Sequence, residues 1–492
     1  PRRVIPHPDG KRVLFLGLDS VLRQYDLATL KELQPPDGFA DMVLAVPSPD
    51  GRWVCAVSGS PKGRLDLFDS AGRLKWSASV RSPDLKVPCW SRDGRRLAWF
   101  EPQGIVVRDP ATGQVDRTFE MPAGAYGGDL TSAFNTDGTR LVVGYDLGVL
   151  VFDLKSGKIV GGGSNDVHGG MPAISPDGAT MAVGSLGRGV CLVDVGTGKV
   201  RTPWTDPPRD CKAFKTADVL FSPDGSYLLD WDEHGVAVLR DPVTGDRKRT
   251  INTGYSYVWA FDFSPDGLWL ATGSPDGIVA LWDVATGRQV WAEHGHWAPV
   301  IRVGFAGPGR VVSTGRDLTA LMWDLKADKK PAKPLWDALS GGDGLAAYQA
   351  VWALVADPGG PELLREKLPP AKHPPPEAVR GWIKDLGADK FAVREAAAKA
   401  LRDLGPLVEA DLRAARQAAT VEEVRTRLDV LLANLPRERS PAEVVQARAV
   451  AVLELAGTDA ARKVLSEWAA GAEGARLTLD AKAALGRLDA RR

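Results

Sequence analysis

The chain has 492 residues, with 62 Lys plus Arg against 62 Asp plus Glu, so its formal charge is zero. That length holds more than one buried core, and the charge balance leaves no global field to gather nucleic acid or an anionic membrane surface. Hydrophobic residues at 44% and charged residues at 25% are ordinary globular values, whereas 53 Gly and 36 Pro need an architectural reason. Cys55, Cys89, Cys191 and Cys211 show no CxxC spacing and read as small buried hydrophobes. No run approaches the length of a membrane-spanning helix, and no signal-peptide core opens the sequence. The first residue is Pro rather than Met, so the reading expects a piece of a longer polypeptide, with the cytoplasm as its favoured compartment.

In chain order, the first element is a repeated turn. Its glycine falls at Gly10, Gly51, Gly94, Gly138, Gly178, Gly225 and Gly267, with a degenerate eighth copy at Gly309, at intervals of 41, 43, 44, 40, 47, 42 and 42 residues. After each turn comes an apolar run, then a second short turn and a second run ending in Asp: Tyr25-Asp26, Phe68-Asp69, Arg108-Asp109, Phe152-Asp153, Val193-Asp194, Arg240-Asp241, Trp282-Asp283 and Trp323-Asp324. A Thr-Gly or Ser-Gly turn follows most of these, which accounts for the glycine. Short strands at about four per 42 residues describe a repeated antiparallel meander. One meander cannot bury both of its faces, and radial stacking of eight solves this, predicting an all-β propeller over residues 1–326. Seven blades is the alternative, with the first unit a remnant. The last unit shows no fourth strand after Asp324, so the reading expects one from upstream of Pro1. Gly161-Gly162-Gly163-Ser164 is read as a flexible loop between blades.

Phe263-Ser264-Pro265-Asp266-Gly267, Leu270 to Gly277 and Val279-Ala280-Leu281-Trp282-Asp283 resemble the consensus of the WD-repeat propeller family. That resemblance implies a structural hydrogen-bond tetrad, and the eighth unit alone carries the whole set, as His296, Ser313, Asp317 and Trp323. The seventh keeps Thr272, Asp276 and Trp282 but has Tyr255 to Tyr257 where His is expected. The remaining blades are therefore expected to rely on apolar packing.

Beyond a linker at 327–334, residues 335–492 turn to Ala and Leu at helical spacing. Stripes at Val393, Ala397, Ala400, Leu401 and Leu404, at Val421, Val424, Leu428, Leu431 and Leu435, and at Ala461, Val464, Leu465 and Trp468 need partner helices. Ser440-Pro441 and Thr458 read as starts; Gly405-Pro406, Gly457 and Gly471 read as stops, giving about nine helices in series, a small solenoid or bundle. Phe391 to Gly405 resembles the second helix of HEAT repeats, and the order of parts resembles planctomycete-type bacterial WD-repeat proteins with a helical extension.

No GxSxG elbow, GxxxxGK[ST] loop or HExxH helix is present, so no catalytic residue is assigned. His294 and His296 lack a third ligand nearby in sequence, and the tetrad already claims His296; no metal and no cofactor is expected. Trp231-Asp232-Glu233-His234 reads as a polar turn rather than an acid–base pair. The leading expectation is a non-catalytic, monomeric scaffold that binds a protein or peptide and neither nucleic acid nor membrane. The alternatives are a sensory arm of a larger signalling or transcription-related polypeptide, or a ligand-binding or enzymatic propeller using its central channel. In the family, loops entering each blade share one variable rim, which here places Tyr126, Tyr145, Trp204, Arg209, Trp231, His234, Tyr257 and Trp297 as candidate partner-binding residues.

Overall fold

The computed structural model describes the chain apart from residues 1–2, 7–11, 17–21, 27–28, 30, 34–41, 49–51, 59–62, 70–72, 80–87, 92, 102–103, 122–130, 136–137, 146–147, 165–172, 186–188, 196, 198, 202–218, 232–234, 256–257, 259, 307–308, 318, 328–329, 436 and 491–492. The chain divides into two compact units, Pro1–Leu325 and Lys326–Arg492.

The turns of the first unit explain why its strands form. In five of the repeats a buried Ser anchors the turn: its hydroxyl receives the backbone N–H five residues on, as at Ser48, Ser91, Ser175, Ser222 and Ser264. In four of these the same hydroxyl donates to the Asp two residues later, at 2.5 to 2.7 Å. The Gly that follows the Asp sits at φ between 66° and 72° in all four, a conformation that a Cβ makes costly. These repeats thus close their own hairpins, with the buried Ser hydroxyl bonded to the backbone of the turn.

Among the described residues the unit contains eight antiparallel sheets, each strand pairing with its neighbour in sequence. Seven have four strands, such as Ala260–Phe263, Trp269–Gly273, Ile278–Asp283 and Arg288–His294 in the seventh; the eighth has three, Val300–Phe305, Arg310–Gly315 and Ala320–Asp324. The middle strands are apolar runs buried on both faces, as at Leu97–Glu101 and Gly104–Arg108, because a sheet lies on either side. Seams close with Leu65, Leu67, Leu97 and Trp99 between blades two and three, with Ile105, Val107, Leu141 and Phe152 between three and four, and with Leu239, Phe263, Leu270 and Trp282 between six and seven. Val13 of the first blade packs with Ala306 and Val312 of the eighth, and first strands touch first strands of the next blade. The ring therefore closes as an eight-bladed propeller, with first strands innermost, and the seven-blade alternative does not apply.

Two expectations change. Gly161 to Ser164 are not a loop: they continue the outermost strand Lys158–Ser164, with Gly161, Gly162 and Gly163 opposite Val151, Leu150 and Val149. An outermost strand has one neighbour, so its backbone ladder suffices where side chains are missing. Nor do blades outside the last two rely on apolar packing alone. In the sixth, Arg240 stands where the seventh has Trp282, and its Nε–H donates to Asp230 Oδ1 at 2.9 Å. In the third, Arg108 passes over the Trp99 ring, 5.4 Å from its centroid, to Glu101 at 2.9 Å. Both guanidinium groups also donate to the carbonyl of the following Gly turn, Gly245 and Gly113. In the second, fully buried Asp66 accepts from Ser77 and Arg64.

The second unit comprises, among the described residues, ten α-helices: α1 (Leu335–Ser340), α2 (Gly344–Ala356), α3 (Gly360–Lys367), α4 (Pro376–Asp385), α5 (Phe391–Leu404), α6 (Glu409–Ala418), α7 (Glu422–Ala433), α8 (Pro441–Ala456), α9 (Asp459–Ala469) and α10 (Arg476–Ala490). A capping box at Ser440 and Glu443 starts α8, and Gly457 at φ 61° ends it. The serial order expected of a solenoid is broken, because α8 packs on α1 and α2 while α4 to α7 share a separate core around Leu401, Leu412 and Leu428. The reason lies in α8, where every residue from Ala447 to Glu454 is buried, so it needs neighbours all round. Arg448, 2% exposed, donates to the carbonyls of Leu339 and Gly341 at the C-terminus of α1. Val393 and Val421, counted in two of the stripes, stay exposed at the helix starts.

Candidate functional site

The best-defined rim of the propeller lies where the seventh blade hands over to the eighth. The connection Gly295 to Pro299 folds back on the turn Ser274 to Gly277: the amides of Gly295 and His296 point at the Gly277 carbonyl, and Val300 N–H donates to Ser274 O. Gly277 has φ 77°, and a Cβ there would collide with the His296 carbonyl, so this close approach needs glycine. Arg316 N–H, from the turn between the second and third strands of the eighth blade, closes the other side on Pro299 O at 2.8 Å.

Inside this frame the four residues of the family tetrad come together. Trp323 Nε1–H donates to Ser313 Oγ at 2.8 Å, Ser313 Oγ lies 2.7 Å from His296 Nε2, and His296 Nδ1 lies 3.0 Å from Asp317 Oδ2. With Asp317 ionised, Nδ1–H donates to the carboxylate and Nε2 accepts the Ser313 hydroxyl, so donors and acceptors alternate along the chain of bonds. Thr319, which the sequence reading missed, donates its hydroxyl to Asp317 at 2.7 Å, and its oxygen stands 2.9 Å from His296 Nδ1 as a further acceptor for Nδ1–H. Desolvation pulls the Asp317 carboxyl up, but bonds from the Thr319 side chain and backbone, the Trp297 amide and His296 outweigh it and hold it down at about 2.

The same geometry exposes an aromatic ring. Trp297 N–H donates to Asp317 Oδ2 at 2.8 Å, while its side chain is 90% exposed. Its predecessor His296 is fully buried, which anchors the backbone while the indole stands out towards solvent. His294 meets it edge-on, with ring centroids 6.4 Å apart.

The other candidates fare differently. Trp231 is half-buried against Phe261, centroids 4.4 Å apart, in the core between blades six and seven. That places it as a seam residue, because its ring faces the neighbouring sheet. Tyr145 ends a strand of the fourth blade. Tyr126, Trp204, Arg209, His234 and Tyr257 lie outside the described residues, as does the long insertion after Arg201. Among the described residues no group of three or more His, Cys, Asp or Glu could hold a metal, and no helix is long and apolar enough to cross a membrane.

Sequence reasoning also missed Asp262, on the innermost strand of the seventh blade, whose Oδ2 accepts the Phe305 amide of the eighth at 3.0 Å. Burial, only partly offset by the Phe305 and Phe263 amides, raises its carboxyl from 3.8 to about 7. A raised value favours the protonated form in the folded state, so this group costs nothing below about pH 4, and stability falls as pH climbs towards 7. Asp262→Asn, which keeps the acceptor without the charge, is expected to raise the melting temperature by several degrees at pH 8 and to leave it unchanged at pH 4. Equal shifts at both pH values would reject this.

The family model "WD domain, G-beta repeat" matches residues 245–283, which run from the last turn of the sixth blade through the third strand of the seventh. No curated protein matches the chain. Among solved structures the fold is similar to the crystal structure of the computationally designed Ika8 protein, at 18% identity and a TM-score of 0.51, over 64% of this chain and 93% of that one. With eight blade-like sheets and one repeat matched by the family model, the chain is a WD-repeat propeller-like protein with a helical C-terminal unit.

Proposed function

We propose that the protein is a non-catalytic scaffold whose propeller presents a rim to a protein or peptide partner, with Trp297 as its anchor. WD repeats generally mediate protein interaction, and they supply the class of function. The observation that carries the specific reading is the pairing of a 90% exposed indole with a backbone amide fixed by a buried hydrogen-bond network. A ring carried on a fixed backbone brings a large apolar surface with only two side-chain torsions to order on binding, and Trp is a frequent hot spot. Nothing in the turn network requires the Trp297 side chain, so it contributes little to folding. His294 beside it supplies a second ring face, and the propeller supplies rigidity.

The test is selection of a random peptide library on the immobilised protein, repeated on Trp297→Ala. Enriched sequences that bind the parent and are lost on the variant support the reading. Identical enrichment on both, or none on the parent, would overturn it.

A further inference from the structure

The seventh blade holds an incomplete version of the network that fixes the Trp297 backbone. Tyr255 precedes Thr272, Asp276 and Trp282 by the same 17, 21 and 27 residues that separate His296 from Ser313, Asp317 and Trp323, so it stands in the histidine's place. The inner half of the network survives, because Trp282 Nε1–H donates to Thr272 Oγ1 at 3.0 Å. The outer half does not. Asp317 takes bonds from His296, from the Trp297 amide and from the side chain and backbone of Thr319. Its counterpart Asp276 is exposed, and among the described residues no hydrogen bond or ion pair reaches its carboxylate. The turn around it does not use that carboxylate, since Ser274 Oγ accepts the Ile278 amide at 3.2 Å.

What lies beside this carboxylate selects a ligand. Tyr255 is half-buried, and burial together with the nearby Asp276 charge raises its phenol above the ordinary value. Gly277 lies against the His296 carbonyl and Trp297 follows His296, so Asp276 and the exposed indole leave adjacent turns of one rim. A second exposed carboxylate, Glu293, comes one residue before His294, which stands opposite Ile278. Arg316 brings positive charge to the rim from the far side of Pro299. An unpaired carboxylate beside an aromatic face is the complement of a guanidinium: the flat cation stacks on the ring while its N–H groups fork to the oxygens. An acidic peptide would be repelled by Asp276, and an apolar one would bury the charge without a partner.

We infer that the open network of the seventh blade is a basic-residue site, and that the partner docking on Trp297 is a peptide whose arginine side chain pairs with Asp276. The inference rests on the rim reading above and adds the chemistry of the neighbouring turn. In the eighth blade the acid of the network holds the fold together; in the seventh the same position is left to the ligand.

The experiment screens the full chain against two random peptide libraries, one with a fixed central Arg and one with a fixed central Glu, and repeats the screen on Asp276→Asn, Asp276→Lys and Trp297→Ala. The parent is expected to enrich binders from the Arg library alone. Asp276→Asn lowers their affinity roughly tenfold, and Asp276→Lys moves enrichment to the Glu library. Both variants keep the parent's melting temperature, because the turn closes on Ser274. Equal enrichment from both libraries on the parent, lost on Trp297→Ala, would overturn the basic-residue site and leave the Trp297 reading standing. Undiminished affinity for Asp276→Asn would do the same, as would a lowered melting temperature in both Asp276 variants. Arg peptides that need Asp276 and bind Trp297→Ala as they bind the parent would keep the site and reject the anchor. Failure of both libraries on the parent would overturn both.

Discussion

Asp230→Ala is expected to lower the stability of the propeller by roughly 3–5 kcal/mol, because it removes a carboxylate from a buried guanidinium. Arg240 is 7% exposed, and its pairing with Asp230 takes the place of a tryptophan-to-hydroxyl bond. That equivalence gives the prediction a second arm. Asp230 precedes Arg240 by the same spacing that separates Thr272 from Trp282, whose indole donates to the Thr hydroxyl at 3.0 Å. The double variant Asp230→Thr with Arg240→Trp is therefore expected to recover most of the loss, since it replaces a buried ion pair by a packed ring with one satisfied N–H. Urea denaturation of the parent, single and double variants measures both. A single variant as stable as the parent would reject the pair as a support of the sixth blade.

Trp323→Ala is expected to cost roughly 3 kcal/mol, at the low end for a tryptophan because the ring is half-exposed. The ring ties three things together: it donates to Ser313, meets Trp291 of the seventh blade edge-on at 5.8 Å, and crowds Gly295 so closely that a Cβ there would clash. Its removal frees Ser313 and hence the orientation of His296. Denaturation by guanidinium is the check, and an unchanged midpoint would contradict the role given to the tetrad.

Much of this architecture was legible because the repeat writes its own turns. Ser264, Asp266 and Gly267 act together in one turn, and the same set recurs at Ser222, Asp224 and Gly225, so the period follows from residue types, while the choice of eight blades over seven needed the contact of Val13 with Ala306 and Val312. The tetrad was legible for the same reason: His296, Ser313, Asp317 and Trp323 fill fixed places in a known pattern. What stayed hidden were substitutions that keep the geometry and change the chemistry. Arg108 and Arg240 stood in the list of strand ends, but an Arg before Asp carries no signal until its acid is sought, ten residues upstream for Arg240 and seven for Arg108. Asp262 was invisible because its partner is a backbone amide of another blade. In the helical unit, caps at Ser440 and Gly457 were readable, whereas the return of α8 to α1 and α2 depends on burial all round, for which the apolar run Ala449 to Leu453 was the available sign. Trp231 and Trp297 look alike in sequence; one faces a neighbouring blade and the other faces water, and only the three-dimensional position of each turn separates them.

The proposed division of labour gives recognition to Trp297 and stability to the network that holds its backbone. Its most direct test is the affinity of a library-selected peptide for Trp297→Ala, measured beside the melting temperature of the same variant. Affinity reduced roughly tenfold or more with an unchanged melting temperature is the predicted result. Undiminished affinity, or a melting temperature lowered as far as that of Trp323→Ala, would contradict it.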